Sequence, residues 1–337
     1  YEGLERKRGR WIFFFGLFVI VCGNGLFKPN ISVMVGNLYE EGNPLKDSAF
    51  NIFYMGINIG ALFAPVAASF LRNKFSWSFA FGTAALGMIL SVLIFQVFKK
   101  YVEHAEISHH KDSVVKNVNL TKEDEKKRIF ALLVIYAIVI LFWMSFHQNG
   151  FTLTFWGRDC TKPFLGYKIP AELFQSINPF FVITLTPIVV YLFKFLRNKN
   201  LEPSTPGKMI LGMLLTATSF GIMALAGISG GDRGLVSVWW LVSAYAVITF
   251  GELCLSPMGL SFCSKVAPPR FRGLMMGGWF GATAIGNYLS GAIEPLWNKL
   301  PHSRFFFILV LSSLFAALVL RIVLKWINEA SKSGSEN

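Results

Sequence analysis

The sequence predicts an all-α membrane protein, a bundle of about nine membrane-crossing helices, and three observations carry that reading. The chain has 337 residues, 53% of them hydrophobic and 15% aromatic but only 15% charged, a balance that excludes an ordinary water-soluble domain. Apolar runs of about 20 residues recur between polar breaks, each long enough to cross a hydrocarbon core roughly 30 Å thick as a helix. The alternating pattern of a membrane β-barrel does not appear, which leaves helices as the spanning element whose backbone groups all find partners.

The net charge of +13 invites a nucleic-acid reading, but the basic residues sit mostly in short segments between apolar runs. Membrane topology accounts for them there, and no nucleic-acid partner is expected. Cys22, Cys160, Cys254 and Cys263 show no C-x-x-C or metal-ligand spacing and read as small core residues. There is no H-E-x-x-H or phosphate loop, and neither an enzyme nor a metal or cofactor site is expected.

The spans are expected at roughly 11 to 38, 50 to 71, 76 to 98, 129 to 150, 173 to 196, 208 to 228, 236 to 264, 272 to 293 and 304 to 327. Three precede a long hydrophilic segment, 99 to 128, and six follow it. Its Lys and Arg residues place it in the cytoplasm. With that orientation cytoplasmic segments carry about 19 Lys and Arg against about 12 on the other side. Three units follow: residues 1–98 as part of an N-terminal bundle, 99–128 as a cytoplasmic linker, and 129–337 as a six-helix C-terminal bundle. A six-helix unit after a central linker implies a matching one before it. About twelve spans are therefore expected in the whole protein, with about three N-terminal helices lying before Tyr1.

In the first span, GNGLFKPNISVMVG, Lys28 sits inside an apolar run. Placing Lys at the centre of a membrane helix is disfavoured by roughly 2.5 to 3.5 kcal/mol, so such a residue faces a water-filled cavity or a counter-charge, unless it snorkels from near a helix end. The second span opens FNIFYMGINIGALFAP, where Asn51 and Asn58, seven apart, share a helical face and glycines allow close helix approach. These two stretches, joined by a short acidic turn, resemble the paired signature of the proton-dependent oligopeptide transporter family of the major facilitator superfamily, in what that family counts as its fourth and fifth helices.

The resemblance extends along the chain. The fourth span ends FWMSFHQNGFTLTFW and is similar to the family's seventh helix, where a tryptophan lines the substrate pocket at the position of Trp143 and an acid often stands at that of His147. A histidine there either titrates in an external gate, its reference pKa being near 6.5, or is a hydrogen-bonded interface residue. His104, His109 and His110 in the linker read as solvated. In QSINPFF, Asn178 and Pro179 match the eighth helix, and Pro179 and Pro187 are expected to bend it.

The seventh span carries FGELCLSPMGLSFCSKVAP. Glu252 lies in apolar sequence, Ser256 follows four residues on along the same face, and Pro257 with Gly259 suggests a kink. A buried carboxylate without a partner is protonated or strongly destabilising. Pairing with Lys28 removes both problems, and the family's tenth helix, with this G-E-x-x-x-S-P pattern, implies the same; the alternative is a protonated Glu252 bonding between helices. In GLMMGGWFGATAIGNYLSG, Trp279 and Asn287 match the eleventh helix, Trp279 at a pocket position.

The resemblance implies a multi-pass protein of the cell (inner) membrane that moves di- and tripeptides together with protons by alternating access. Lys28, Asn58, Trp143, Asn178, Glu252, Ser256 and Trp279 would bind substrate, and Lys28, Glu252 and His147 would couple or gate. The alternatives are a related carrier of nitrate or another small solute, and a peptide receptor that does not transport.

Overall fold

The computed structural model describes residues 2–39, 43–103, 121–166, 169, 174–232 and 234–332. Among them the secondary structure is helical apart from one isolated bridge between Thr161 and Val236. Nine long helices correspond to the nine expected spans: α1 (Glu2–Asn37), α2 (Leu45–Lys74), α3 (Trp77–Phe98), α4 (Lys122–Phe146), α6 (Ile177–Asn198), α7 (Thr205–Ser229), α8 (Val238–Val266), α9 (Arg272–Ile293) and α11 (His302–Lys332). Two short helices, α5 (Thr152–Asp159) and α10 (Leu296–Lys299), cross the end of the bundle away from the linker. Among the described residues, seven stretches are long and apolar enough to cross a membrane, lying in α1, α3, α4, α6, α7, α8 and α11.

Helices run past the apolar segments that announce them. α4 begins at Lys122, not near 129, because Thr121 accepts a hydrogen bond from the Asp124 amide and Glu123, Asp124 and Glu125 fill the first turn, where acids complement the helix dipole. α7 starts under Ser204, which accepts from the Gly207 amide, with Pro206 at its opening. Pro179 does not bend α6. It occupies the first turn, where no intrahelical donor is required, and only Pro187 lies inside the helix. The linker is described only at its ends, so His104, His109 and His110 lie outside the described residues.

The core belongs to the helices after the linker. α7 and α8 pack through facing glycines: a Cβ on Gly212 would lie 2.5 Å from the Gly251 carbonyl oxygen, and one on Gly251 would lie 2.7 Å from that of Gly212. Close approach of this kind is how membrane helices gain packing energy when lipid is as apolar as they are. α11 lies along α7 and α4, and α4 along α9, enclosing Phe142, Met213, Phe220, Ile248 and Phe306. α2 rests on α6 and α8, and α1 on α9 and α8. Among the described residues the apolar stretches of α1 and α3 have none buried, and Phe13, Phe18, Leu86 and Ile89 are exposed.

Antiparallel succession gathers the same ends together. Arg272 at the start of α9 donates to Asn37 at the end of α1 at 2.8 Å, and Lys208 near the start of α7 meets Asp47 at the start of α2. These ends lie on the linker side. On the opposite side Asp232 accepts from the Ser303 amide at 2.7 Å, and Gln148 donates to Ser290 at 2.9 Å.

Candidate functional site

Glu252 stands in the middle of α8, 2% exposed, in a helix that continues through Pro257. Both of its oxygens are engaged. Asn178, in the first turn of α6, donates through Nδ2 to Oε2 at 2.8 Å and to Thr249 Oγ1 at 3.0 Å. The Tyr54 phenol of α2 donates to Oε1. Asn58, one turn on from Tyr54, donates to the Tyr54 carbonyl at 3.0 Å, and the Ser256 and Asn58 side chains also approach the phenol. Asn51, Tyr54 and Asn58 form one stripe of α2, at the i, i+3, i+7 spacing of a single helical face, and Asn51 and Asn58 are both buried. A carboxylate and two amides, reached from three helices, thus meet at one point inside apolar sequence. Such a place selects groups that hydrogen-bond or carry the opposite charge.

A second, aromatic group flanks this polar one. Trp143 of α4 stacks on His147 with centroids 5.4 Å apart and meets Trp279 of α9 edge-on at 6.3 Å; Trp279 also meets Tyr136 edge-on. Each tryptophan lies against a glycine, Trp143 through its Cβ and Trp279 through its ring. A Cβ on Gly286 would be driven into Trp143, and one on Gly259 would overlap the Trp279 ring. Gly259 is seven residues beyond Glu252 on α8, two turns along the same face and about 10 Å away. The helix that carries the carboxylate therefore also seats the tryptophan. Trp143 Nε1 and His147 Nε2 are buried with no hydrogen-bond partner among the described residues. His147 ends α4 in a turn fixed by Gln148, which donates to Ser290 and accepts from Thr152 at 3.0 Å.

The POT family profile matches residues 3–118 and 96–309 of the chain. The chain belongs to the POT family. It is 31% identical over 350 residues to the peptide transporter YePEPT of Yersinia enterocolitica subsp. palearctica serotype O:3 (strain YE-P4), covering 85% of this chain and 68% of that protein. To the di-/tripeptide transporter of Lactococcus lactis subsp. lactis (strain IL1403) it is 30% identical over 375 residues, covering 93% of this chain and 75% of the other. Its fold is similar to the crystal structure of a peptide transporter POT in complex with sulfate, at a TM-score of 0.70 and 26% identity over 94% of this chain and 75% of that one. The protein is thus a multi-pass membrane protein with the major facilitator fold, in a family of transporters.

Within this POT chain the structure brings together Asn58, Asn178, Glu252 and Ser256, and separately Trp143, His147 and Trp279. Lys28 joins neither group. The expected pair with Glu252 is not formed: Lys28 is exposed on α1, and its carbonyl accepts from Ser32 Oγ at 2.9 Å. α1 meets α8 nearer the linker side, where Gly36 presses on Ser264, and the Glu252 oxygens already hold a donor each. Tyr54 is the residue that sequence reasoning missed. Its signal was its place between Asn51 and Asn58 on the stripe already recognised.

Proposed function

We propose that this POT protein is a proton-coupled symporter of di- and tripeptides that works by alternating access, in the cell (inner) membrane with the 99–128 linker in the cytoplasm. Residues 1–98 contribute to an N-terminal bundle and residues 129–337 form the C-terminal one. The observation that carries the reading is the buried Glu252, held from α6 by Asn178 and from α2 by Tyr54. An ionised carboxylate accepting these bonds ties α2 to the helices after the linker, and charge-assisted bonds are the stronger kind. Protonation of Glu252, or competition from a peptide's ammonium group, weakens that tie and frees the two groups of helices to separate. Asn58, Asn178 and Ser256 supply further polar contacts to the peptide backbone, and Lys28, unpaired with Glu252, is available to its carboxylate. Trp143 and Trp279 give side-chain pockets an apolar wall that selects no single sequence. His147 backs Trp143.

Two substitutions in the whole protein test this. Glu252→Gln keeps the shape and removes the ionisable proton site, so proton-driven peptide accumulation in vesicles should be lost while exchange of peptide across the membrane persists. Lys28→Ala should likewise abolish accumulation. Uptake against a gradient at the unaltered level in Glu252→Gln would overturn the mechanism.

A further inference from the structure

A second buried polar cluster lies on the linker side, apart from the Glu252 site. Asp47, in the first turn of α2, is 6% exposed and reaches into a socket made entirely by helices after the linker. Lys208 of α7 and Lys265 of α8 each approach one of its oxygens at 2.6 Å. Ser261 of α8 donates to Oδ1, and Thr205 approaches Oδ2 at 3.4 Å. Lys208 is 1% exposed and has two further partners that belong to its own group of helices. Its Nζ donates to Glu202 Oε1 at 2.7 Å and stands 4.6 Å from the centre of the Phe193 ring of α6. Glu202, in the loop between α6 and α7, is itself fixed by Arg197, which donates through Nε and Nη2 at 2.6 and 3.0 Å.

We propose that Asp47 is the bolt of a linker-side closure, that Lys208 and Lys265 are its socket, and that Glu202 is the positioning residue that allows it to open. This rests on the alternating-access reading above. When α2 moves away, Asp47 leaves with it, and a buried ammonium abandoned without a counter-charge is strongly unfavourable. Lys208 is not abandoned, because Glu202 is held beside it by Arg197 whatever α2 does. In the closed arrangement Lys208 has two carboxylates; in the open one it has Glu202. Loss of Glu202 therefore costs the open arrangement more than the closed one. Loss of Asp47 favours opening. Without Asp47, Lys208 has the same partner in both arrangements, and Glu202 no longer biases them.

The test reads opening directly and not transport, so its failure is separable from an error about the cargo. In the full-length protein in nanodiscs, with the exposed Cys22 replaced by serine, a cysteine is placed at Ser32, which is 1% exposed on α1 near the linker side. Its reaction rate with a polar maleimide is compared with that of Lys199→Cys, which is exposed in the linker-side loop. Asp47→Asn should raise labelling of Ser32→Cys by about tenfold, and Glu202→Gln should lower it by about threefold or more, with Lys199→Cys unchanged in both. On the Asp47→Asn background, Glu202→Gln should change nothing further. If Asp47→Asn does not accumulate in membranes, Lys265→Gln replaces it and should also raise labelling. Unchanged labelling when the bolt or its socket is altered, or a rise with Glu202→Gln, would overturn the proposal.

Discussion

Tyr54 on α2 and Glu252 on α8, 198 residues apart in sequence, share one hydrogen bond inside the bundle. The bond crosses from the helices before the linker to those after it. It leaves Glu252 with a donor on each oxygen, since Asn178 holds the other at 2.8 Å. A phenol is suited to this place, because it donates to a carboxylate without bringing a second charge that would have to be desolvated.

Tyr54→Phe keeps the ring and removes the donor. One oxygen of a carboxylate that is 2% exposed then loses its partner, which costs about 1 to 3 kcal/mol. The thermal midpoint of the full-length protein in detergent should fall accordingly, and Glu252→Gln should make the two residues non-additive in a double-mutant cycle. Additive effects would show that the phenol and the carboxylate are not coupled.

Gly259→Ala acts at the aromatic wall. The new methyl overlaps the Trp279 ring, so the indole must leave its place between Gly259, Tyr136 and Trp143. The KM for a hydrophobic dipeptide should rise, by about tenfold if one aromatic contact of roughly 1.4 kcal/mol is lost, and Trp279→Ala should have no added effect on that background. An unchanged KM with normal protein abundance would remove Trp279 from the peptide pocket.

His147 stacks on Trp143 and forms no ion pair with any described residue. His147→Gln should therefore raise KM through Trp143 while leaving the shape of the pH profile of uptake unaltered. His147→Asp, which introduces a charge beside an indole, should impair uptake more. A shift of the profile in His147→Gln would instead assign the histidine to gating.

What the sequence showed and what it hid have physical reasons. Glu252, Asn178 and Asn58 were legible because a polar residue inside an apolar run stands out and needs an explanation. Tyr54 was hidden because a tyrosine in so aromatic a chain is unremarked until its hydroxyl is placed. Charge arithmetic gave Glu252 another partner: it asks for a counter-charge, whereas neutral Tyr54 and Asn178 supply one donor to each oxygen, which meets the hydrogen-bonding need without adding a charge. The Asp47 cluster was invisible for the opposite reason, since charges at helix ends read as solvated. Helix ends were missed by several residues at α4 because Thr121 and three acids extend a helix that hydropathy does not see.

Glu202 makes the linker-side cluster sensitive to acid, and the sign follows from its surroundings. Burial alone raises its carboxyl group, but the hydrogen bonds from Arg197 and Lys208 and their charges outweigh that and hold it below the ordinary value of 4.5. A group whose pKa is lower in the folded than in the unfolded protein contributes stability above the unfolded value, and that contribution is lost as pH falls through the folded one. The groups facing it are Arg197 and Lys208, with Asp47 and Lys265 beyond Lys208. At neutral pH, Glu202→Gln should lower the thermal midpoint of the full-length protein in detergent, for a loss of about 1 to 3 kcal/mol. Below about pH 4.5 the unaltered protein should lose this advantage and the two midpoints should converge. The converging arm separates an ionised Glu202 from one that merely packs: a difference between the two proteins that stays constant across the acid range would mean that its charge contributes nothing to the cluster.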